Sequence, residues 1–232
     1  MTHLLPKLTL LAGLVAGGTA LAQSPELSQR PDQTQPLVDQ AAQPAPQQKQ
    51  PTAGELSAKE TPASAMLRTF EYEEYEFRSA AAAMPADKYG YRPAQRDYGG
   101  VYPGYGPKEL RTFAEQVKHV ACANFGFSAE LDGKTPPPNC DKGGPNPAKT
   151  RDELIVYLRD SFKALKKSIG AMTPKNMFDP IEGPYAGPET RLGMASVAIS
   201  HVADHYGQLV LYLRLNGIVP PASRPNPPKL KD

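Results

Sequence analysis

Apolar positions between residues 63 and 216 recur at steps of three and four in four separate runs, the signature of amphipathic helices that each turn one face inward. The first run predicts a helix over 63–84, with an inward stripe of Leu67, Phe70, Glu74, Phe77, Ala81 and Met84, closed by Pro85. Glu74 interrupts that apolar seam. Its carboxylate either lies at the edge of a tilted stripe or is aimed at a polar site inside the protein. The second run, 108–127, carries Leu110, Phe113, Val117, Val120 and Ala121 on its apolar face, with His119 beside it on the small, polar stripe Thr112, Gln116, Ala123 and Gly126. The third opens on Thr150-Arg151-Asp152-Glu153, a capping-box pattern. It continues with Leu154, Leu158, Ser161, Leu165 and Ile169 and ends at Gly170.

The fourth run, 190–216, starts at a Thr190 cap and ends where Gly217 fits a left-handed closing residue. Its inward stripe is Met194, Ala198, His201, His205, Gln208 and Tyr212, flanked by the apolar stripe Ala195, Ile199, Val202, Leu209 and Leu213. His201 and His205 are four residues apart and so lie one above the other, roughly 5–6 Å apart at Cβ. They are either two satisfied core histidines or two ligands of one metal ion. A third histidine on another inward face favours the metal, and the candidates are His119 and His3.

Four such helices without a strand pattern predict an all-α four-helix bundle over 63–223. The connections between them are longer than tight antiparallel hairpins need, which implies at least one overhand crossing. Tyr89, Tyr91, Tyr98 and Tyr102 lie in the first long connection and cap the bundle or line the mouth of a pocket.

Composition adds the ends. Residues 1–22 have a weak positive start at Lys7, a short apolar run and Ala20-Leu21-Ala22, the pattern of a cleaved secretory signal peptide; this predicts a periplasmic or secreted protein. After cleavage no stretch is long enough to be a transmembrane helix. Residues 23–62, rich in Gln, Pro, Ala and Ser, read as a disordered linker, and 224–232 as a flexible tail. Export permits a disulfide between Cys122 and Cys140, two cysteines that form no CxxC motif. A net charge of +2 gives no electrostatic case for nucleic acid. Walker and dinucleotide glycine motifs and a Ser-His-Asp order are absent. A small-molecule substrate and a homodimer are the expected partners.

The stretches RTFAEQVKHVACANF and HVADHYGQLVLYLRLNGIVPPAS, with MPADKYGYRPA at the first helix exit, resemble the DinB/YfiT superfamily over 63–223. The resemblance implies an up-down-down-up bundle. It also implies a divalent metal, zinc or nickel, held at one end by one histidine of the second helix and an HxxxH pair of the last. These match His119, His201 and His205. Some relatives are S-transferases or isomerases that act with a low-molecular-weight thiol, and this chain departs from them in its export signal. Three imidazoles leave a tetrahedral ion one open position, which favours a metal-dependent transferase, isomerase or hydrolase. The alternative is a non-catalytic bundle in which a fourth ligand such as Glu74 or Glu115 closes the sphere. Glu115, one turn before His119, and Asp204, next to His205, are candidates to orient the ligand imidazoles. Glu115 and Gln116 are also candidates for proton transfer or substrate contact.

Overall fold

A computed structural model describes residues 52–57, 60–94, 110–136, 150–183 and 188–228. Residues 1–22, read above as a signal peptide, with His3 among them, Tyr98, Tyr102, Cys140 and most of residues 23–62, read above as a linker, lie outside the described residues. The elements are α1 (Ala53–Ser57), α2 (Pro62–Ala83), α3 (Phe113–Leu131), α4 (Arg151–Gly170), β1 (Pro180–Ile181), β2 (Glu189–Thr190) and α5 (Arg191–Leu215), with 3-10 turns at Ala86–Lys88 and Pro221–Ser223. The single helical turn of α1 falls within the segment whose composition predicts a spacer. The two-residue ribbon of β1 and β2, antiparallel with Pro180 opposite Thr190, was not legible in the sequence pattern.

Each long helix starts on a threonine. Thr61, Thr112, Thr150 and Thr190 each accept a hydrogen bond from the backbone N–H three residues on, at 3.0–3.2 Å. That N–H has no partner within the helix, so the cap fixes where the helix begins. At Thr112 the box is reciprocal, because the Thr112 N–H donates to the Glu115 carboxylate at 2.6 Å. The second predicted helix therefore begins at Phe113 rather than at 108, and Leu110 is exposed instead of facing the core. Its other end runs past Phe127 to Leu131, and Gly133, at φ 65°, follows. Gly217, at φ 72°, occupies the left-handed position after α5 that the sequence predicts.

Paired residues give the direction of each helix. Cys122, Asn124 and Ser128 of α3 meet Tyr157, Ser161 and Ser168 of α4 in ascending order, so these two helices are parallel. Glu74 of α2 meets Lys166 of α4 while Arg151 donates to the Met84 carbonyl, so α2 and α4 are antiparallel. Gln116 of α3 meets Gln208 of α5 while Phe127 meets His201, so α3 and α5 are antiparallel. The topology is up-down-down-up. The parallel step from α3 to α4 is the overhand crossing that the loop lengths imply.

The core is filled from all four helices. Phe162 of α4 packs on Phe70 and Phe77 of α2 at ring-centroid distances of 5.3 and 6.3 Å, and all three are fully buried. One turn beyond Phe77 along α2, the buried Tyr89 donates its hydroxyl to the Ala81 carbonyl at 2.6 Å and packs edge-on against Phe113. Tyr91 packs edge-on against Tyr212. Both described tyrosines of the first connection thus cap the bundle. Beyond α5 the chain stays attached, since Tyr75 donates to the Pro228 carbonyl at 3.0 Å. No described helix is long and apolar enough to cross a membrane.

Candidate metal centre

His119 lies on α3 two turns from its cap, and His201 and His205 lie one turn apart on α5, which runs antiparallel beside it. The seam between the two helices brings all three rings together. Ring centroids are 4.5 Å apart for His201 and His205, 4.6 Å for His119 and His205, and 5.1 Å for His119 and His201. One nitrogen from each ring lies within 4.8 Å of the other two. His119 Nε2 and His201 Nε2 are 3.1 Å apart. Ala123, fully buried, is the small neighbour on the His119 stripe that leaves the rings this room.

This convergence fits a metal ion on two grounds. Two imidazole nitrogens at 3.1 Å either share one proton or aim their lone pairs at a third atom, and a tetrahedral ion with bonds of about 2.0–2.1 Å sets its nitrogen ligands roughly 3.3 Å apart. The buried Nδ1 of His205 has no hydrogen-bond partner among the described residues, a cost that an ion bound at that nitrogen would offset, whereas the Nδ1 of His201, whose Nε2 faces His119, is without one and would stay so.

The electrostatics hold the rings neutral, the state a metal ligand needs. Burial is the main cause, and it lowers the His119 pKa to about 3 and the His201 pKa to about 4. His205 is lowered for the same reason. The Arg111 guanidinium lowers all three further, and the Asp204 carboxylate opposes the shift at His201 and His205.

The carboxylates singled out in the sequence are engaged elsewhere. Glu74 is buried and ion-paired on both oxygens, with Arg78 at 2.8 Å and Lys166 at 2.7 Å. Glu115 serves the Thr112 cap and lies 3.6 Å from Arg92, so it does not orient His119. Asp204 is exposed and accepts from Gln208 Nε2 at 3.2 Å, one turn along α5, rather than from His205 beside it. Adjacent residues on a helix point to different faces, which is why the pairing goes to Gln208. Gln208 in turn accepts from Gln116 Nε2 at 2.6 Å. Because Asp204 can only accept, the orientation of both amides is fixed, and Gln116 Oε1 is left buried without a partner. Gln116 therefore braces the seam rather than facing solvent. Cys122 is buried with its sulfur 3.5 Å from the Tyr157 hydroxyl.

A four-helix bundle with an overhand crossing and a three-histidine cluster between its second and last long helices defines the class. The sequence pattern of the DinB superfamily matches residues 69–209, and the chain belongs to that superfamily. Among solved structures, a DinB-like protein from Bacillus cereus ATCC 10987 is similar at 15% identity and a TM-score of 0.51, over 68% of this chain and 95% of that one. A DinB-like protein from Bacillus subtilis matches at 18% identity and a TM-score of 0.49, over 66% of this chain and 92% of that one. A search of curated protein sequences gives no match.

Proposed function

We propose that the protein is an exported metalloprotein that holds one divalent ion, zinc or nickel, on His119, His201 and His205, and that it works as a metal-dependent transferase, isomerase or hydrolase. The observation that carries this reading is the convergence of three neutral imidazoles with no carboxylate or cysteine joining them among the described residues. A structural zinc site usually fills all four positions with protein ligands, whereas a catalytic one keeps a position for substrate. Bound there, the ion supplies Lewis-acid polarisation to a carbonyl, ester or thiol at that position. The chain's own part is to hold the imidazoles deprotonated, to keep them in place through helix packing, and to leave His119 and His201 partly reachable from solvent. The proposal of export rests on the signal-like pattern of residues 1–22.

Zinc uptake as a function of pH tests the reading. Protons compete with the metal only for a ring whose pKa is near the solution pH. The folded values of about 3 at His119 and about 4 at His201 put that competition well below neutrality. The zinc dissociation constant, measured by competition with a chelator of known affinity, is expected to stay flat from about pH 8 to about pH 6, because all three rings are lowered, and to weaken further down. Three ordinary imidazoles, with pKa values of about 6.5, would instead lose affinity steeply from just below that pH. A loss already present at pH 6 contradicts the site as described. The sign for the metal-free protein follows from the same values. The unfolded chain takes up protons below about 6.5 before the folded one does, so metal-free stability falls as pH drops through that window.

A further inference from the structure

The seam between α3 and α5 pairs its residues in one antiparallel register. Gln116 meets Gln208 with amide nitrogen and oxygen 2.6 Å apart, and His119 meets His205 with ring centroids 4.6 Å apart. Three residues on each helix separate these two pairs, a rise of about 4.5 Å. The glutamine pair is therefore the layer of the seam next to the three histidines. On their other side the seam is apolar. Ala123 is fully buried there, and the Phe127 ring packs edge-on against His201 with centroids 5.6 Å apart. The polar groups beside the rings are thus those of the glutamine layer.

Gln116 is 3% exposed, and its Oε1 is buried without a hydrogen-bond partner among the described residues. An amide oxygen left unpaired in the interior is costly. The neighbouring donors are turned elsewhere. The Gln208 amide nitrogen donates to Asp204 at 3.2 Å, and the Tyr212 hydroxyl gives its single hydrogen to the Arg111 carbonyl at 2.8 Å. Nor can the Gln116 amide turn round to relieve its oxygen. Asp204 only accepts, so Gln208 presents its oxygen to Gln116, and Gln116 must answer with its nitrogen. Through two amides, the exposed Asp204 carboxylate fixes that the free atom of Gln116 is an acceptor and not a donor.

We propose that Gln116 Oε1 selects the molecule bound beside the three histidines, a ligand that carries an N–H or O–H next to the atom held at the open position, with Asp204 and Gln208 as positioning residues. The proposal rests on the metal reading above. It narrows the substrates to those with a donor beside the polarised group, and so favours an amide with an N–H over the corresponding ester.

The test uses the full chain loaded with one equivalent of nickel and titrated calorimetrically with acetohydroxamic acid and with N-methylacetohydroxamic acid. Both bind a metal ion through two oxygens, and the second has a methyl group where the first has its N–H. The ratio of their dissociation constants is compared between proteins, so that the intrinsic affinity of nickel for each ligand cancels. The preference for the N–H ligand is expected to be roughly tenfold larger in wild type than in Gln116→Met, which keeps the volume and removes the acceptor. Asp204→Lys replaces the acceptor-only end of the chain of amides by a donor-only one, which turns both amides round and presents the Gln116 nitrogen instead. It is expected to retain nickel and to lose the preference as fully as Gln116→Met. Because Asp204 is exposed, this variant carries the comparison should Gln116→Met fail to fold. Nickel-loaded wild type that binds neither ligand, or a ratio unchanged in a folded variant, overturns the proposal and leaves the metal site standing. Weaker nickel retention in Gln116→Met with an unchanged ratio makes Gln116 a ligand of the ion and overturns it too. Failure of the wild type to retain nickel overturns both readings.

Discussion

His205→Ala is expected to lose stoichiometric zinc binding, with affinity falling by at least about a hundredfold, the upper range for loss of a partner that merely orients a ligand. His205 is the most enclosed of the three rings and lies closest to both partners, at centroid distances of 4.5 and 4.6 Å. Removing it leaves two imidazoles, too few to hold a labile ion against water. The bundle itself should persist, because the neighbouring stripe of Val202, Leu209 and Leu213 is fully buried and stays intact. Equilibrium dialysis with metal analysis reads the loss, and circular dichroism confirms the helices. Glu115→Gln provides the contrast. Its carboxylate serves the start of α3, so zinc affinity should remain within about twofold while stability drops by about 0.3–1 kcal/mol, since Gln can still accept from the Thr112 N–H and only the negative charge at the helix start is lost. A loss of metal in Glu115→Gln equal to that in His205→Ala would contradict the assignment of that carboxylate.

Phe162→Ala is expected to have the largest effect on stability, about 3–5 kcal/mol in urea unfolding. The ring is fully buried, and it is the residue through which α4 contacts both Phe70 and Phe77 of α2. Truncation leaves a void bordered by two aromatic rings that cannot collapse into it without moving α2. Against a total stability of about 5–15 kcal/mol, that loss leaves a narrow margin. The histidines lie between α3 and α5, on the far side of the core from this contact. Zinc affinity of the protein that remains folded should therefore match the wild type. A loss below about 1 kcal/mol would show that α2 and α4 are not joined through this ring.

The fold was legible because its information is periodic. The stripes Phe70-Phe77, Leu158-Leu165 and Val202-Leu209 keep one face apolar over several turns, and burial follows them. The histidines were legible for the same reason: 201 and 205 share a face by spacing alone, and 119 sits on an inward edge of its own helix. Helix boundaries were less clear where two signals competed. Thr112-Phe113-Ala114-Glu115 is the same capping pattern as Thr150-Arg151-Asp152-Glu153, yet the helix-compatible residues before it draw the predicted start back to 108. That misplacement also turned a capping carboxylate, Glu115, into a candidate orienter of His119.

Glu74 shows the other limit. Its two cations come from one turn along its own helix and from α4, and only the nearer, Arg78, can be anticipated from spacing. The Gln116–Gln208 contact and the hydrogen bond from Tyr212 to the Arg111 carbonyl depend on how α3 and α5 are set against each other. Neither leaves a trace in a single sequence.

The central claim is that His119, His201 and His205 bind one ion together and leave a position free. The X-ray absorption spectrum of the protein loaded with one equivalent of zinc tests it most directly. Three imidazole nitrogens at about 2.0–2.1 Å, plus one further light-atom ligand exchangeable with solvent or added anion, are the predicted first shell. Two or fewer imidazoles, or a sulfur at about 2.3 Å, would contradict it.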